Sequence, residues 1–345
     1  MNSNPLLQTI HNRNELYRTI RNYFNSRGYL EVHTPLLASR PIPESHIELF
    51  RTERRFSDGT SKPLYLLPSP ELGMKLLLAS GSPSLYQISP CFRNGEQLDR
   101  WHRLEFTMLE WYRLEAEADD NIKETQQLLE ACAQSIPLAG RAREAFSELT
   151  VMTMEEAFRE FAGFSLENDL RGAGLAQSAP WDKEYPAALR TAASVLSKRL
   201  SERGMPSGAP GEDAADLFHR LFLTLVEDRL PREHPLVLKN WPSLIPTLAR
   251  RIPHTPWADR WELYIHGVEV ANCYGEENSR KALESYWENE KAQYKTEDES
   301  GEWIQRVSEG MPACSGAAMG LDRLLALLQG SDSLKGVDLF PFLEL

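Results

Sequence analysis

Apolar residues first recur with a helical period. Across residues 13–28, Leu16, Ile20, Tyr23 and Phe24 fall on one stripe and Gly28 supplies a stop, so the spacing predicts a helix. Residues 29–34 (YLEVHT) then alternate as a strand does and end at Pro35. The run LYLL predicts another short strand, a proline-rich break follows, and a helix begins at Glu71 and reaches about residue 79. Residues 85–88 and 106–112 predict two strands joined by the polar stretch 93–105. From about 118 to 225 the character changes. Helical patterns such as NIKETQQLLEACAQ alternate with Gly/Pro/Ala-rich breaks such as ERGMPSGAPGEDAADL, which reads as helical material appended to or inserted in a sheet core. Strand signals return at 236–238 and across WELYIHGVEVAN (261–272), and a last helix over 321–328 ends at Gly330. Strands separated by such long excursions predict an α+β fold with a mainly antiparallel sheet.

Composition narrows the class. With 345 residues, 41% hydrophobic and 26% charged, the chain has the balance of a globular protein and enough length for a large core. No run approaches the roughly eighteen apolar residues of a membrane span, and the opening MNSNPLLQTIHNRN lacks a signal-peptide layout. Cys91, Cys132, Cys273 and Cys314 form no CxxC pair, so a disulfide framework or zinc site is not expected and a cytoplasmic setting fits. A net charge of −12 argues against a surface devoted to polyanions, and tRNA is therefore not the expected partner. There is no internal repeat.

Three segments carry candidate chemistry. In Trp261–Asn272, two alternating runs flank His266-Gly267, which predicts a two-residue hairpin turn. That register sets Tyr264 opposite Glu269 and Glu262 opposite Ala271, leaving Glu262 and Glu269 as diagonal neighbours on one face, about 7 Å apart. Such a pair suits Mg²⁺, which takes one or two carboxylates plus substrate phosphates; an exposed hairpin face with two solvated acids fits the same spacing. In CFRNGEQLDRWHRLEFTMLEWYR (91–113), Arg93, Arg100, His102 and Arg103 sit in a loop between two strands. Arginine there suits bidentate phosphate binding and Phe106 suits base stacking, while a charged surface hairpin has the same pattern. In SGAAMGLDRLL (315–325), small residues run straight into a helix bearing Arg323, as in phosphate-binding loops and equally in tight strand–helix junctions.

Taken in order, these pieces resemble the three signature motifs of class II aminoacyl-tRNA synthetases. The helix–strand unit ending at Pro35 resembles motif 1, the dimer-interface element. FRNGE…RWHRLEFTMLEWY resembles motif 2, and GAAMGLDRLL resembles motif 3. PELGMK (70–75), FTMLEWY (106–112) and GVEVAN (267–272) are similar to the lysyl branch. The resemblance implies one catalytic domain over 1–345, with a mainly antiparallel sheet flanked by helices and a helical insertion at roughly 145–225. Motif 1 starts near residue 13, so no anticodon-binding OB domain is expected. Among stand-alone members, MPACSG, FTMLEWYR and SGAAMGLDR are similar to the elongation factor P–lysine ligases, where alanine at the place of Ala318 shapes the pocket for (R)-β-lysine.

The resemblance implies a homodimer that uses ATP and Mg²⁺ and acylates a lysine of elongation factor P. It implies Arg93 on the α-phosphate and substrate carboxylate. Asn94, Glu96 and Phe106 belong with ATP, with Glu96 and Phe106 against adenine. Arg100, His102 and Arg323 face the outer phosphates, and Glu262 and Glu269 hold the ion. Glu71 meets the backbone-type amine, while Glu110, Tyr112 and Glu276 surround the ε-ammonium. Asn272 contacts the carboxylate and Tyr274 forms an aromatic wall. If Asn272 and Glu269 both line the site, a bulge near Ala271 is required. The chain departs from the family at Cys273, where glycine is usual, at Glu277, where leucine is usual, and at Gly95, which lengthens the motif 2 loop by one. A truncated lysyl-tRNA synthetase-type adenylating enzyme and a catalytically silent regulatory protein are the alternative readings.

Overall fold

The computed structural model describes residues 4–42, 47–95, 99–136, 146, 148–209, 211–294 and 301–340. The chain forms two compact units, Met1–Glu148 with Asn289–Leu345, and Leu149–Glu288.

The first unit opens with α1 (Pro5–Asn25), which starts earlier than the expected residue 13 because Pro5 occupies the first turn and Asn4 Oδ1 accepts from the Leu6 N–H at 3.0 Å. The expected stripe is buried, and Gly28 ends the turn at φ +79°. β1 (Leu30–Glu31) is shorter than the expected strand and runs parallel to β5 (Leu85–Phe92). Between them, β2 (Leu37–Ala38), β3 (Arg51–Arg55) and β4 (Ser61–Leu66) form a small antiparallel sheet in the order β2–β4–β3. α2 (Glu71–Ala79) begins where the sequence placed it. β6 (Glu105–Leu114) pairs antiparallel with β5, and α3 (Ala118–Ser135) is closed by a capping box of Glu117 and Asp120.

In the second unit, β7 (Thr150–Thr153) lies parallel to β8 (Leu236–Pro242), and the helical excursion runs between them. It comprises α4 (Met154–Ala157), α5 (Leu166–Gly172), α6 (Tyr185–Ser201) and α7 (Ala214–Leu225). These helices bury Phe158, Leu196, Phe218 and Phe222 with Trp241 of β8 in one apolar cluster. β9 (Trp257–Ile265) and β10 (Val268–Gly275) complete an antiparallel run, β8–β9–β10.

In sequence the boundary between the units falls within α8 (Arg280–Tyr294), which is followed by α9 (Gly301–Gly310), β11 (Cys314–Gly320) and α10 (Leu321–Leu328). β11 pairs antiparallel with β6, so the first unit's sheet runs β1–β5–β6–β11. The small-residue segment is thus a strand leading directly into a helix. Gly310 ends α9 against α2, where an added Cβ would lie 2.3 Å from the Ala79 carbonyl oxygen. One face of this sheet is covered by α1 and α3. Phe24 stacks on Tyr86 at 4.8 Å, and Trp111 Nε1 donates to Asn121 Oδ1, whose amide donates in turn to Ser315 Oγ at 2.8 Å. The architecture is α+β, with mainly antiparallel sheets flanked by helices. Among the described residues, no helix is long and apolar enough to cross a membrane.

Candidate active site

Alternation along β5, β6 and β11 sorts their side chains. Trp111 and Ala317 point to the helix-covered face, so Glu110, Tyr112, Gly316, Ala318 and Gly320 take the other. There Glu110 sits between Gln87 on β5 and Ala318 on β11, directly opposite each. It is buried, and Tyr112 Oη donates to its Oε1 at 2.6 Å. Three expected amino-acid-site residues are therefore brought together: Glu110, Tyr112 and Ala318. On β11 this face carries only the small residues Gly316, Ala318 and Gly320.

Gln87 Oε1 accepts from the Thr34 N–H at 2.9 Å, and Thr34 is close enough to α2 that a Cβ on Gly73 would lie 2.8 Å from its Cβ. These contacts tie the first turn of α2, through Gly73 and Thr34, to Gln87 of β5. Glu71 Oε1 takes Lys75 Nζ at 2.5 Å, and Lys75 is completely buried, a partner the sequence reading missed. The Cys91 thiol on the same face is pushed up to about 12 by burial and then by the Glu110 carboxylate.

At the far ends of β5 and β6, the Arg93 guanidinium lies 5.3 Å from the Phe106 ring centroid. Arg93 Nε is buried and takes no hydrogen bond among the described residues, which suits a donor meant for an anion. Asn94 gives its side-chain amide to Glu48 Oε1 at 2.6 Å and its backbone N–H to the Glu48 carbonyl. Glu48 also explains Gly95. That residue holds φ +68°, and a Cβ on it would lie 2.8 Å from Glu48 Oε2. Glu96 lies outside the described residues.

Beyond it the loop is built on Asp99, whose Oδ1 accepts from the Trp101 and His102 backbone N–H groups and lies 2.8 Å from His102 Nδ1. Slight burial works against the Asp99 charge, but these hydrogen bonds outweigh it and hold the carboxyl below its usual range. Arg100 is exposed. Arg323 Nε donates to the Trp101 carbonyl at 3.0 Å, tying α10 to this loop. Asp322 anchors the same helix, with Oδ1 taking Arg13 Nη1 and Oδ2 taking the Thr107 N–H, both at 2.6 Å. Arg93, Phe106, His102, Arg100 and Arg323 thus belong to one strand–loop–strand and the helix fastened to it.

In the second unit, His266 and Gly267 form the hairpin turn, both with positive φ (52° and 79°). Val268 faces Ile265 and Glu269 faces Tyr264, as expected. The expected pairing of Glu262 with Ala271 does not hold. The register shifts between Glu269 and Ala271, so Asn272 faces Glu262 and Tyr274 faces Arg260. This bulge returns Asn272 and Tyr274 to the face of Glu262 and Glu269. Glu262 is buried; Arg260 Nη2 donates to its Oε1 at 2.6 Å and Tyr264 Oη to its Oε2 at 2.7 Å. Burial and then the Glu269 charge push Glu262 above the usual carboxylate range, and Arg260 and Tyr264 oppose the shift. Glu227, a further acid the sequence reading missed, is raised by burial and then by the same Glu269 charge. Among the described residues, no three or more His, Cys, Asp or Glu side chains are grouped to hold a metal ion by themselves. Glu262 and Glu269 fit a divalent ion that takes its remaining ligands from a substrate, since a cation offsets their repulsion.

Glu276 is buried just past β10, in a backbone bridge to Ala249. Gly275 permits that close packing, because an added Cβ would lie 1.9 Å from Asp259 Oδ2. Cys273, at the position of the family's glycine, is fully buried opposite Trp261, on the face away from Asn272.

A family model described as tRNA synthetases class II (D, K and N) matches residues 1–344. The chain belongs to this family. Its curated relatives include an "Elongation factor P--(R)-beta-lysine ligase" of Vibrio parahaemolyticus, 32% identical over 97% of this chain and 96% of the relative. Another, of Haemophilus influenzae, is 30% identical over 94% of this chain and 92% of its own length. A protein named as a homolog of that ligase, from Aquifex aeolicus, is 33% identical over 91% of this chain and 93% of the relative. As a class II synthetase-family member the chain is an ATP-dependent amino-acid ligase. The strand–loop–strand of β5 and β6 and the β11–α10 junction are the segments that resemble the class's motifs 2 and 3.

Proposed function

We propose that this ligase activates (R)-β-lysine, or lysine, as its aminoacyl-adenylate and transfers the acyl group to a lysine side chain of elongation factor P. The observation carrying this reading is the near end-to-end match to relatives that bear that name, 97% of this chain against 96% of the relative. In the first step an amino-acid carboxylate oxygen bonds to the α-phosphorus of ATP and pyrophosphate leaves. In the second, the acceptor amine attacks the acyl carbon, a proton is lost from nitrogen, and AMP leaves.

Arg93, with its buried Nε–H, serves the α-phosphate, where charge builds as the new bond forms. Phe106 serves as the adenine platform, Glu96 and Asn94 take the ATP-binding roles that the family resemblance gives them, and Arg100, His102 and Arg323 serve the outer phosphates. Glu110 and Tyr112, joined at 2.6 Å, hold the distal ammonium and Glu71 holds the nearer amine, while Glu276 keeps the role that the family resemblance gives it. A buried ammonium needs such carboxylates to offset its desolvation. Ala318, opposite Glu110, limits the depth of the pocket. Asn272 holds the substrate carboxylate and Tyr274 forms the aromatic wall. Mg²⁺, held by Glu262 and Glu269, supplies charge neutralisation to the triphosphate when bound. The same reading makes the protein a cytoplasmic homodimer that does not use tRNA.

The test is acyl transfer from labelled (R)-β-lysine or lysine with ATP to purified elongation factor P, run beside bulk tRNA. The expected result is a mass increase of one acyl group on a lysine of elongation factor P and no label on tRNA. Label on tRNA alone would overturn the assignment of the acceptor.

A further inference from the structure

Two bulges flank β9, and both re-aim an aromatic ring onto the same residue. On β8 the register with β9 shifts between Lys239 and Trp241, where Asn240 holds φ +61°, and Trp241 thereby comes opposite Ala258. On β10 the shift between Glu269 and Ala271 brings Tyr274 opposite Arg260. Without these shifts both rings would fall on the other face of the hairpin. As built, the Arg260 guanidinium lies 4.7 Å from the Trp241 ring centroid and 5.6 Å from that of Tyr274. Its Nη2 donates to Glu262 Oε1 at 2.6 Å, and the other oxygen of Glu262 is taken by Tyr264.

Burying an arginine is costly, and the Arg260 side chain is only 14% exposed. A planar guanidinium does what an ammonium cannot, stacking on rings while presenting an N–H edge to a carboxylate. With both oxygens bound, Glu262 has one orientation, and Tyr274 has a flat cation behind it. Bulges are over-represented next to active sites, as they are at sheet edges, and there they re-aim a side chain.

We propose that Arg260 is a positioning residue for both halves of amino-acid activation, fixing Glu262 for the nucleotide-bound ion and bracing Tyr274 as the wall of the amino-acid site. This rests on the roles given above to Glu262 and Tyr274.

The test measures binding without turnover. Affinity for Mn²⁺ with a non-hydrolysable ATP analogue is read by paramagnetic resonance, and affinity for (R)-β-lysine and lysine by calorimetry. The proteins are wild type, Arg260→Lys, Arg260→Met, Glu262→Gln, Tyr274→Ala, and Arg260→Met combined with each of the last two. Arg260→Lys keeps the charge should Arg260→Met fold poorly, and Arg260→Met with Glu262→Gln removes both buried charges together. Both Arg260 variants weaken Mn²⁺–nucleotide binding by about 10- to 100-fold and amino-acid binding by about threefold to tenfold. Adding Arg260→Met to Glu262→Gln weakens the ion no further, and adding it to Tyr274→Ala weakens the amino acid no further. Additive losses in both cycles, or an Arg260→Lys protein that binds both ligands as wild type does, would overturn the proposal. If Glu262→Gln and Tyr274→Ala themselves bind normally, the role assignments fall and the proposal falls with them.

Discussion

Replacing Asp322 by alanine tests how the fold holds its nucleotide-facing helix. One carboxylate joins three elements: α10, which carries it; α1, through Arg13 Nη1 at 2.6 Å; and β6, through the Thr107 N–H at 2.6 Å. Each is a charge-assisted hydrogen bond contributing about 1.5–3 kcal/mol. Arg13 is not wholly abandoned in the variant, because Nη2 still donates to the Val337 carbonyl at 3.1 Å and Nη1 to Tyr17 Oη at 3.3 Å. The expected loss is therefore nearer the lower sum, about 3 kcal/mol, or roughly 150-fold in the folding equilibrium. Urea denaturation followed by circular dichroism gives this number directly. A cycle with Arg13→Met isolates the pair, with an expected coupling of about 1.5 kcal/mol. Asp322→Asn, whose amide oxygen still accepts from Thr107, falls between. A loss for Asp322→Ala below about 1 kcal/mol, or additive single and double variants, would refute the reasoning.

Three further outcomes are expected. Gly275→Ala sets a methyl 1.9 Å from Asp259 Oδ2 and strains the 3.0 Å Arg250–Asp259 ion pair; thermal denaturation should show a loss of about 2 kcal/mol. Glu110→Gln removes the charge that the assigned role sets against the distal ammonium, so the KM for the amino acid rises about 10- to 100-fold while that for ATP stays near wild type; equal rises in both would contradict the assignment. Burial raises the Cys91 and Cys132 thiols to about 12 from an ordinary 9, so the folded state keeps protons that the unfolded state releases. Their contribution is fully present below pH 9 and is lost as pH rises from there towards 12, so the urea midpoint should fall across that window.

Much of this was legible where one local signal dominated. Glu71 opens α2 as read, the His266-Gly267 turn is where two alternating runs demanded it, and α10 spans residues 321–328. The start of α1 was missed although Asn4 and Pro5 together are a helix-start signal. β11 was not read as a strand because its small residues give no period-two contrast: Ala317 is buried and Ala318 half-buried, with nearly the same side chain. The register error at Ala271 has a different cause. A bulge inserts one residue without changing composition, and only the need to bring Asn272 and Glu269 together hinted at it. Arg260 and Lys75 were overlooked because charged residues beside apolar ones are read as solvent positions, whereas Lys75 is fully buried and Arg260 largely so, each against a carboxylate. Glu48 and Glu227 lie far in sequence from Asn94 and Glu269, and no spacing rule connects them.

The central claim is that the chain adenylates a lysine-type amino acid. Amino-acid-dependent exchange of labelled pyrophosphate into ATP tests it most directly, run with (R)-β-lysine, lysine and no amino acid, for wild type and Arg93→Ala. The account predicts exchange with (R)-β-lysine or lysine, none without amino acid, and loss of exchange in Arg93→Ala. Exchange absent with both amino acids, or undiminished in Arg93→Ala, would contradict it.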